Sequence, residues 1–149
     1  MDRRKIIDAL NRLLVLMHRS LARYVVDAAP WVPPNMPQAS QAQLLLANLV
    51  ADQKMYAGKL ADMIISDGGT LDFGDFPMQF TDTNDLSLDF MLGEILNCQR
   101  QDVAAIEGCA RDLAGDKAAK ALADEILGNA RGHLQSLKDV AGPKKQPVG

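Results

Sequence analysis

The chain has 149 residues, of which 48% are apolar and 23% are charged, and its net charge at pH 7 is −3. This length suffices for one domain with its own hydrophobic core, and the composition is typical of a globular protein. The small net charge gives no reason to expect a nucleic-acid partner, and no apolar run is long enough for a membrane span. Because the first residues enter an amphipathic pattern instead of the apolar core of a signal peptide, we expect a cytoplasmic protein.

The first helix is predicted to run from about residue 3 to Ala29, where Pro30 ends it because proline lacks a backbone N–H donor. Its apolar face repeats every three or four residues and consists of Ile6, Leu10, Leu13, Met17, Leu21, Tyr24 and Ala28. The opposite face carries Lys5, Arg12, Arg19 and Arg23. This basic ridge is either a solvated surface or a contact for an acidic partner.

A second helix is predicted over about residues 39–66, ended by the turn residues Gly68 and Gly69. Ser40 and Gln43 stand near its start at the spacing of a capping box. The proline-rich connection before it contains the only tryptophan, Trp31, which we expect to cover the end of the domain or to contact a protein.

A long connection follows from Asp67 to Asn84 and contains three of the four phenylalanines, namely Phe73, Phe76 and Phe80. A connection this long and apolar is expected to pack along the domain as a crossover. Two more helices are predicted over about residues 85–113 and 116–140. Short, long and short connections predict an all-α, up-down-down-up four-helix bundle over residues 1–142. We expect residues 143–149 to form a flexible C-terminal tail.

Aligning the four apolar faces at mid-height brings polar residues together inside the bundle. The residues at this height are Met17, Gln53, Tyr56, Gln99, Ala130 and His133, with Asp102 one turn away. One interpretation is a buried network in which Tyr56, the two amides, Asp102 and His133 bond to each other. The other is a mononuclear metal site formed by His133, Asp102 and Tyr56.

Three stretches carry a resemblance to a known family: residues 10–14 (LNRLL) followed by Tyr24, residues 52–60 (DQKMYAGKL) and residues 125–133 (EILGNARGH). They are similar to the bacterioferritin patterns L-N-x-L-L…Y, D-E-x-x-H-A-x-K-L and E-I-L-x-x-E-x-G-H. Met91 and Leu92 give the register of the third helix. Over nearly all of its four helices the chain therefore resembles the ferritin-like superfamily, and bacterioferritins in particular.

The resemblance implies a di-iron centre whose ligands are almost all replaced in this chain. The family has a Glu on the first and third helices and Glu-x-x-His on the second and fourth. The corresponding residues here are Met17, Gln53, Tyr56, Gln99, Ala130 and His133, so only the last histidine matches the pattern. Lys54 stands where bacterioferritins have their haem-binding methionine. Because buried iron ions need carboxylates to balance their charge, the comparison implies no iron, no haem and no ferroxidase activity.

We therefore expect a ferritin-like protein without a di-iron centre, which serves as a non-enzymatic binding or assembly module and has no catalytic residues, cofactor or bound metal. By analogy with ferritin-like bundles, which often pair through their first two helices, we expect a homodimer. A protein partner is also possible, and the candidate contact residues are Arg12, Arg19, Arg23, Trp31, Phe73, Phe76 and Phe80.

Two further hypotheses come from other classes of function. The first is a metal-binding or oxidoreductase protein with a rebuilt mononuclear centre around His133, Asp102 and Tyr56. The second is a small-molecule pocket between the crossover and the bundle.

Overall fold

A computed structural model of the chain describes residues 2–28, 30–74 and 87–141. The helices are α1 (Arg3–His18), α2 (Leu21–Ala28), α3 (Ala39–Ser66), α4 (Leu88–Asp112) and α5 (Lys117–Ala141). Within these residues there is no β-strand, and the one extended pairing is an isolated bridge between Trp31 and Ser87. Since α1 and α2 together occupy the first predicted helix, the all-α, four-helix prediction is confirmed. Phe76, Phe80 and the tail over residues 143–149 lie outside the described residues.

The prediction of one uninterrupted first helix is wrong, because α1 ends at His18 and α2 begins at Leu21. The hydroxyl oxygen of Ser20 accepts a hydrogen bond from the backbone N–H of Arg23 at 3.2 Å, which makes Ser20 the N-cap of α2. The same hydroxyl donates to Oε1 of Gln53 on α3 at 2.7 Å. The start of α2 is therefore stabilised by a residue of another helix.

The ends of α3 agree with the predicted range of 39–66, but the N-terminal cap does not. Gln38 is the N-cap and its side chain makes no capping bond, so the capping box expected from Ser40 and Gln43 is not formed. At the other end, the N–H groups of Gly68 and Gly69 donate to the carbonyls of Ile65 and Ile64. This is a Schellman motif, and Gly68 supplies the positive φ of 83° that the motif requires.

The four helices of the bundle pack in a closed ring. The α1 helix contacts α3 and α4, and α5 contacts the same two helices from the other side. The core has two apolar layers along the bundle axis: one contains α1 residues such as Leu10 and Leu13, and the other contains α2 residues such as Leu21 and Val25. The two apolar layers meet at mid-height of the bundle, which is the height at which the sequence predicts polar residues.

Candidate functional site

Two buried amides, Gln53 on α3 and Gln99 on α4, lie between the two apolar layers of the core. Oε1 of Gln53 accepts from the Ser20 hydroxyl, and Nε2 of Gln99 donates to the backbone carbonyl of Ala130 at 3.1 Å. Met17 and Ala130 are also buried at this height and add no charge. The centre of the bundle is therefore filled by neutral side chains, and each of the two amides has one polar atom bonded to the protein itself.

Tyr56 is buried and directs its hydroxyl to the contact between α3 and α5. The hydroxyl donates to Oε2 of Glu125 at 3.0 Å, and Nζ of Lys59 lies 3.7 Å from the same carboxylate oxygen. Burial is the main reason that the pKa of Tyr56 rises to about 12, and the hydrogen bond to Glu125 raises it further. A phenol this resistant to ionisation remains protonated and acts as a hydrogen-bond donor.

His133 also lies at the α3–α5 contact, where its partner is Asp52. Nε2 of His133 is 2.7 Å from Oδ2 of Asp52, and Nδ2 of Asn129 donates to the same oxygen at 2.9 Å. The bond from Asn129 and then that from His133 lower the pKa of Asp52. Sequence reasoning missed Asp52 as a functional side chain, although Asn129 and His133, four residues apart on one face of α5, hinted at a shared acceptor.

Asp102, expected to join His133 and Tyr56, does not take part in this cluster. It receives no hydrogen bond from the described residues, and burial raises the pKa of its carboxyl group to about 6. The predicted mutual network is therefore wrong: the structure contains separate pairs instead. The heights of these polar side chains along the helices were predicted correctly. However, α3 is rotated about its axis so that Asp52, and not Asp102 of α4, faces His133.

The alternative of a mononuclear centre at His133, Asp102 and Tyr56 gains no geometric support. In the ranges 2–28, 30–74 and 87–141, no three or more His, Cys, Asp or Glu side chains form a group that could hold a metal ion. His133 and Tyr56 bond to different carboxylates, those of Asp52 and Glu125.

The residues proposed to contact a partner protein differ in how far they are already engaged in contacts within the chain. Nη2 of Arg12 binds Oδ2 of Asp112 at 2.6 Å, and Nε of Arg19 donates to the carbonyl of Phe73 at 3.2 Å. Arg23 is half-buried, and burial lowers the pKa of its guanidinium group. Much of the basic ridge therefore contacts the protein itself. Trp31 is 62% exposed and remains available for contacts.

A cleft of about 1180 Å³ lies between α1 and α4, with Asp72 from the connection after α3 at its edge. The lining includes Lys5, Asp8, Arg12 and Asp112 around the buried Cys109. Because both signs of charge line the cleft, its electrostatics do not select one class of small molecule.

None of the described helices has the length and apolar character needed to cross a membrane. No protein-family model matches the chain, and a search of curated proteins returns no significant match.

Proposed function

We propose that this protein is a ferritin-like bundle without a di-iron centre, and that it serves as a non-enzymatic assembly module that pairs with a second copy of itself. The absence of a reaction centre is supported by the neutral layer at mid-height. There, Gln53 and Gln99 have partners within the chain, and Met17 and Ala130 offer no metal ligand. Two iron ions would need several buried carboxylates at these positions.

The up-down-down-up order of the helices is part of this proposal, and contacts at the helix ends support it. Arg3 at the start of α1 lies 3.3 Å from Asp67 at the end of α3, so these helices run in opposite directions. Arg12 in α1 bonds to Asp112 at the end of α4. The α2–α3 connection hydrogen-bonds to the first residue of α4, which is consistent with α3 and α4 running in the same direction.

The observation that carries the proposed assembly is the outward face of α3. Its large side chains Leu44, Met55 and Ile65 are all exposed, and Leu44 is 64% exposed. Between them the small residues Ala47, Ala51 and Gly58 are exposed, together with the polar residues Asn48, Lys54, Lys59 and Asp62. Large apolar side chains that recur along the exposed surface of a helix, with small residues between them, are typical of an interface.

A second copy of the chain fits this face better than a partner of unknown shape, because the face is complementary to itself. In an antiparallel crossing centred on Gly58, Ala51 lies opposite Ile65 of the other copy. The same crossing brings Lys54 opposite Asp62, and both of these side chains are exposed. A Cβ atom added to Gly58 would meet open space, so the glycine leaves room for a close approach of two helices.

Sedimentation equilibrium tests this assembly. We expect the wild-type chain, whose mass is 16.2 kDa, to sediment at twice that mass. Ala51→Arg places a long charged side chain at the crossing and should produce single chains. Ala118→Arg, at an exposed alanine of α5, is the matched control and should remain dimeric.

Charge reversal tests the predicted register. Lys54→Glu should weaken the dimer by placing two acidic groups opposite each other, and adding Asp62→Lys should restore it. Sedimentation of the wild-type chain at 16.2 kDa over the whole concentration range contradicts the dimer. A failure of the second substitution to restore pairing contradicts only the register.

A further inference from the structure

The connection that leaves α3 turns back and lies along the outer side of α1. Residues 69–74 of this connection are named the strap here. The Asn11 side chain holds its middle: Nδ2 donates to the carbonyl of Thr70 at 2.9 Å, and Oδ1 accepts from the backbone N–H of Asp72 at 2.8 Å. One amide thereby satisfies both a donor and an acceptor of the strap backbone.

Two glycines bring the strap close to α1. A Cβ atom on Gly69 would come within 2.8 Å of Cγ2 of Ile7, and one on Gly74 within 2.9 Å of Cγ1 of Val15. Gly74 also has a φ of 65°, a conformation that other residues rarely adopt. The strap therefore covers apolar side chains of α1 along several turns of the helix.

The last part of the strap is attached at the end of α1. Nε of Arg19 donates to the carbonyls of Phe73 and Gly74 at 3.2 and 2.8 Å. The ring of His18 lies against that of Phe73, with 4.7 Å between the ring centroids and an interplanar angle of 51°. His18 and Arg19 thus hold the strap by a ring contact and by hydrogen bonds, respectively.

His18 differs from the other polar side chains of the described chain because its Nδ1 atom is buried and has no hydrogen-bond partner. A neutral imidazole tolerates this environment by keeping Nδ1 unprotonated. A protonated ring would place a donor and a positive charge where no acceptor is present.

The charged groups around His18 make its protonation less favourable still. Arg19 at the end of α1 and Arg23 of α2 both act on the ring with positive charge. On the strap, the Asp72 carboxylate already accepts a hydrogen bond from the backbone N–H of Gly74 at 3.0 Å. Burial, and then these two arginines, lower the pKa of His18 below its ordinary value.

The geometry points to a pH-dependent attachment of the strap, in which neutral His18 holds residues 73 and 74 against α1 and protonated His18 releases them. Release would uncover the apolar side chain of Val15 and the face of Phe73 that packs on His18, a side chain that is 40% exposed in the attached form. The histidine would thereby couple proton binding to the exposure of an apolar surface on α1, a regulatory property separate from the proposed dimer face on α3.

The direction of the pH effect follows from proton linkage. In the released form the His18 ring is hydrated, so its pKa is higher than in the attached form, and the released form binds the proton more tightly. Attachment is therefore unaffected above the ordinary histidine pKa of about 6.5 and weakens as the pH falls below it. Each pKa unit between the two forms multiplies the released fraction by up to about ten.

Amide hydrogen exchange measured by NMR between about pH 8 and pH 5 tests this attachment, after correction for the intrinsic pH dependence of exchange. We expect the amide of Gly74, one of the two released residues, to lose protection at the low end of this range, while amides in the middle of α5 keep theirs. His18→Leu cannot be protonated and should abolish the response. His133→Gln, which removes the only other histidine, should preserve it.

A reciprocal measurement keeps the inference testable if His18→Leu does not fold. Asn11→Ala removes two strap bonds far from the imidazole, so it should raise the pKa of His18 towards its ordinary value in an NMR titration of the ring. A His18 pKa unchanged by Asn11→Ala overturns the coupling. Strap amides that stay protected when His18 is protonated, or that respond equally in His18→Leu, overturn it as well.

Discussion

The buried amides of Gln53 and Gln99 obtain their hydrogen bonds in different ways. Gln53 depends on the Ser20 hydroxyl, whereas Gln99 donates to the backbone carbonyl of Ala130. The Ser20 hydroxyl therefore has two roles, because it also caps α2 through the N–H of Arg23. One small side chain thus joins the start of a helix to the polar layer of the bundle.

Ser20→Ala should lower the free energy of unfolding by about 1–3 kcal/mol, since it removes the cap and leaves the Gln53 oxygen without its donor. Urea denaturation at a fixed protein concentration measures the change. Ser40→Ala is the matched control: this exposed serine near the start of α3 makes no cap, so the change should stay below about 0.5 kcal/mol. Equal effects of the two substitutions would contradict the assigned role of Ser20.

Asp102 is expected to destabilise the folded protein when it is ionised. Its pKa rises from 3.8 to about 6 on burial, so the native state binds its proton more tightly than the unfolded state. The resulting penalty is absent below about pH 4, grows between pH 4 and 6 and is complete above pH 6. Asp102→Asn should therefore increase stability above pH 6 by on the order of 1–2 kcal/mol, and the gain should disappear near pH 4.

Asp52 provides a control for the Asp102 prediction, because replacing it with Asn is expected to change the stability in the opposite direction. Hydrogen bonds from Asn129 and His133 lower its pKa, so its ionised form stabilises the folded state above the ordinary aspartate pKa of 3.8. Asp52→Asn should decrease stability at neutral pH, and the loss should fade as the pH falls below that value. Urea denaturation over a pH series would contradict both assignments if the two variants changed stability in the same direction.

At the scale of elements, the end of α3 and the middle of α5 use glycine for different reasons. Gly68 adopts a φ of 83° in the Schellman motif that ends α3. Gly128 lies inside α5, where an added Cβ atom would meet open space. A residue with a side chain would be strained at position 68, whereas position 128 can accommodate one.

Gly68→Ala should destabilise the protein by about 1 kcal/mol, because an L-residue with a side chain is strained at positive φ. Gly128→Ala should stabilise it by about 0.5–1 kcal/mol, because alanine restricts the unfolded chain and favours a helix. Thermal unfolding of both variants measures the two changes. A stabilising Gly68→Ala would mean that α3 does not end in the left-handed conformation described.

At the scale of the whole molecule, the bundle has two apolar layers separated by a neutral polar one. The α3 and α5 helices also contact each other at their edge through Asp52, Tyr56, Glu125 and His133. The charged groups of the protein therefore lie mainly outside its centre. This distribution of charge makes a definite prediction about metal binding.

We expect the protein, dialysed against chelator, to bind no stoichiometric Fe(II), Zn(II) or Cu(II), because its central layer lacks the carboxylates that would balance the charge of the ion. Isothermal titration with each ion measures this. His133→Ala should behave like the wild-type chain. One metal ion bound per wild-type chain and lost in His133→Ala would instead favour the alternative of a rebuilt mononuclear centre.

The sequence by itself determined the last three helices and the height of the polar residues along the bundle. The predicted ranges of the second, third and fourth helices agree with α3, α4 and α5 to within a few residues. Apolar periodicity and turn-forming residues are local signals, so they can be interpreted without knowledge of distant contacts. The same periodicity predicted correctly that Gln53 and Gln99 would be buried.

Only the tertiary structure decided which of these residues bond to each other. The break between α1 and α2 involves Gln53, a residue 33 positions away from Ser20. The choice of Asp52 over Asp102 as the partner of His133 depends on how far each helix is rotated about its axis. Sequence position gives the height of a side chain along its helix, whereas apolar periodicity gives the rotation of the helix only to within a fraction of a turn. A hydrogen bond requires a definite distance and direction between two atoms, so its partner is decided only when the helices are packed together.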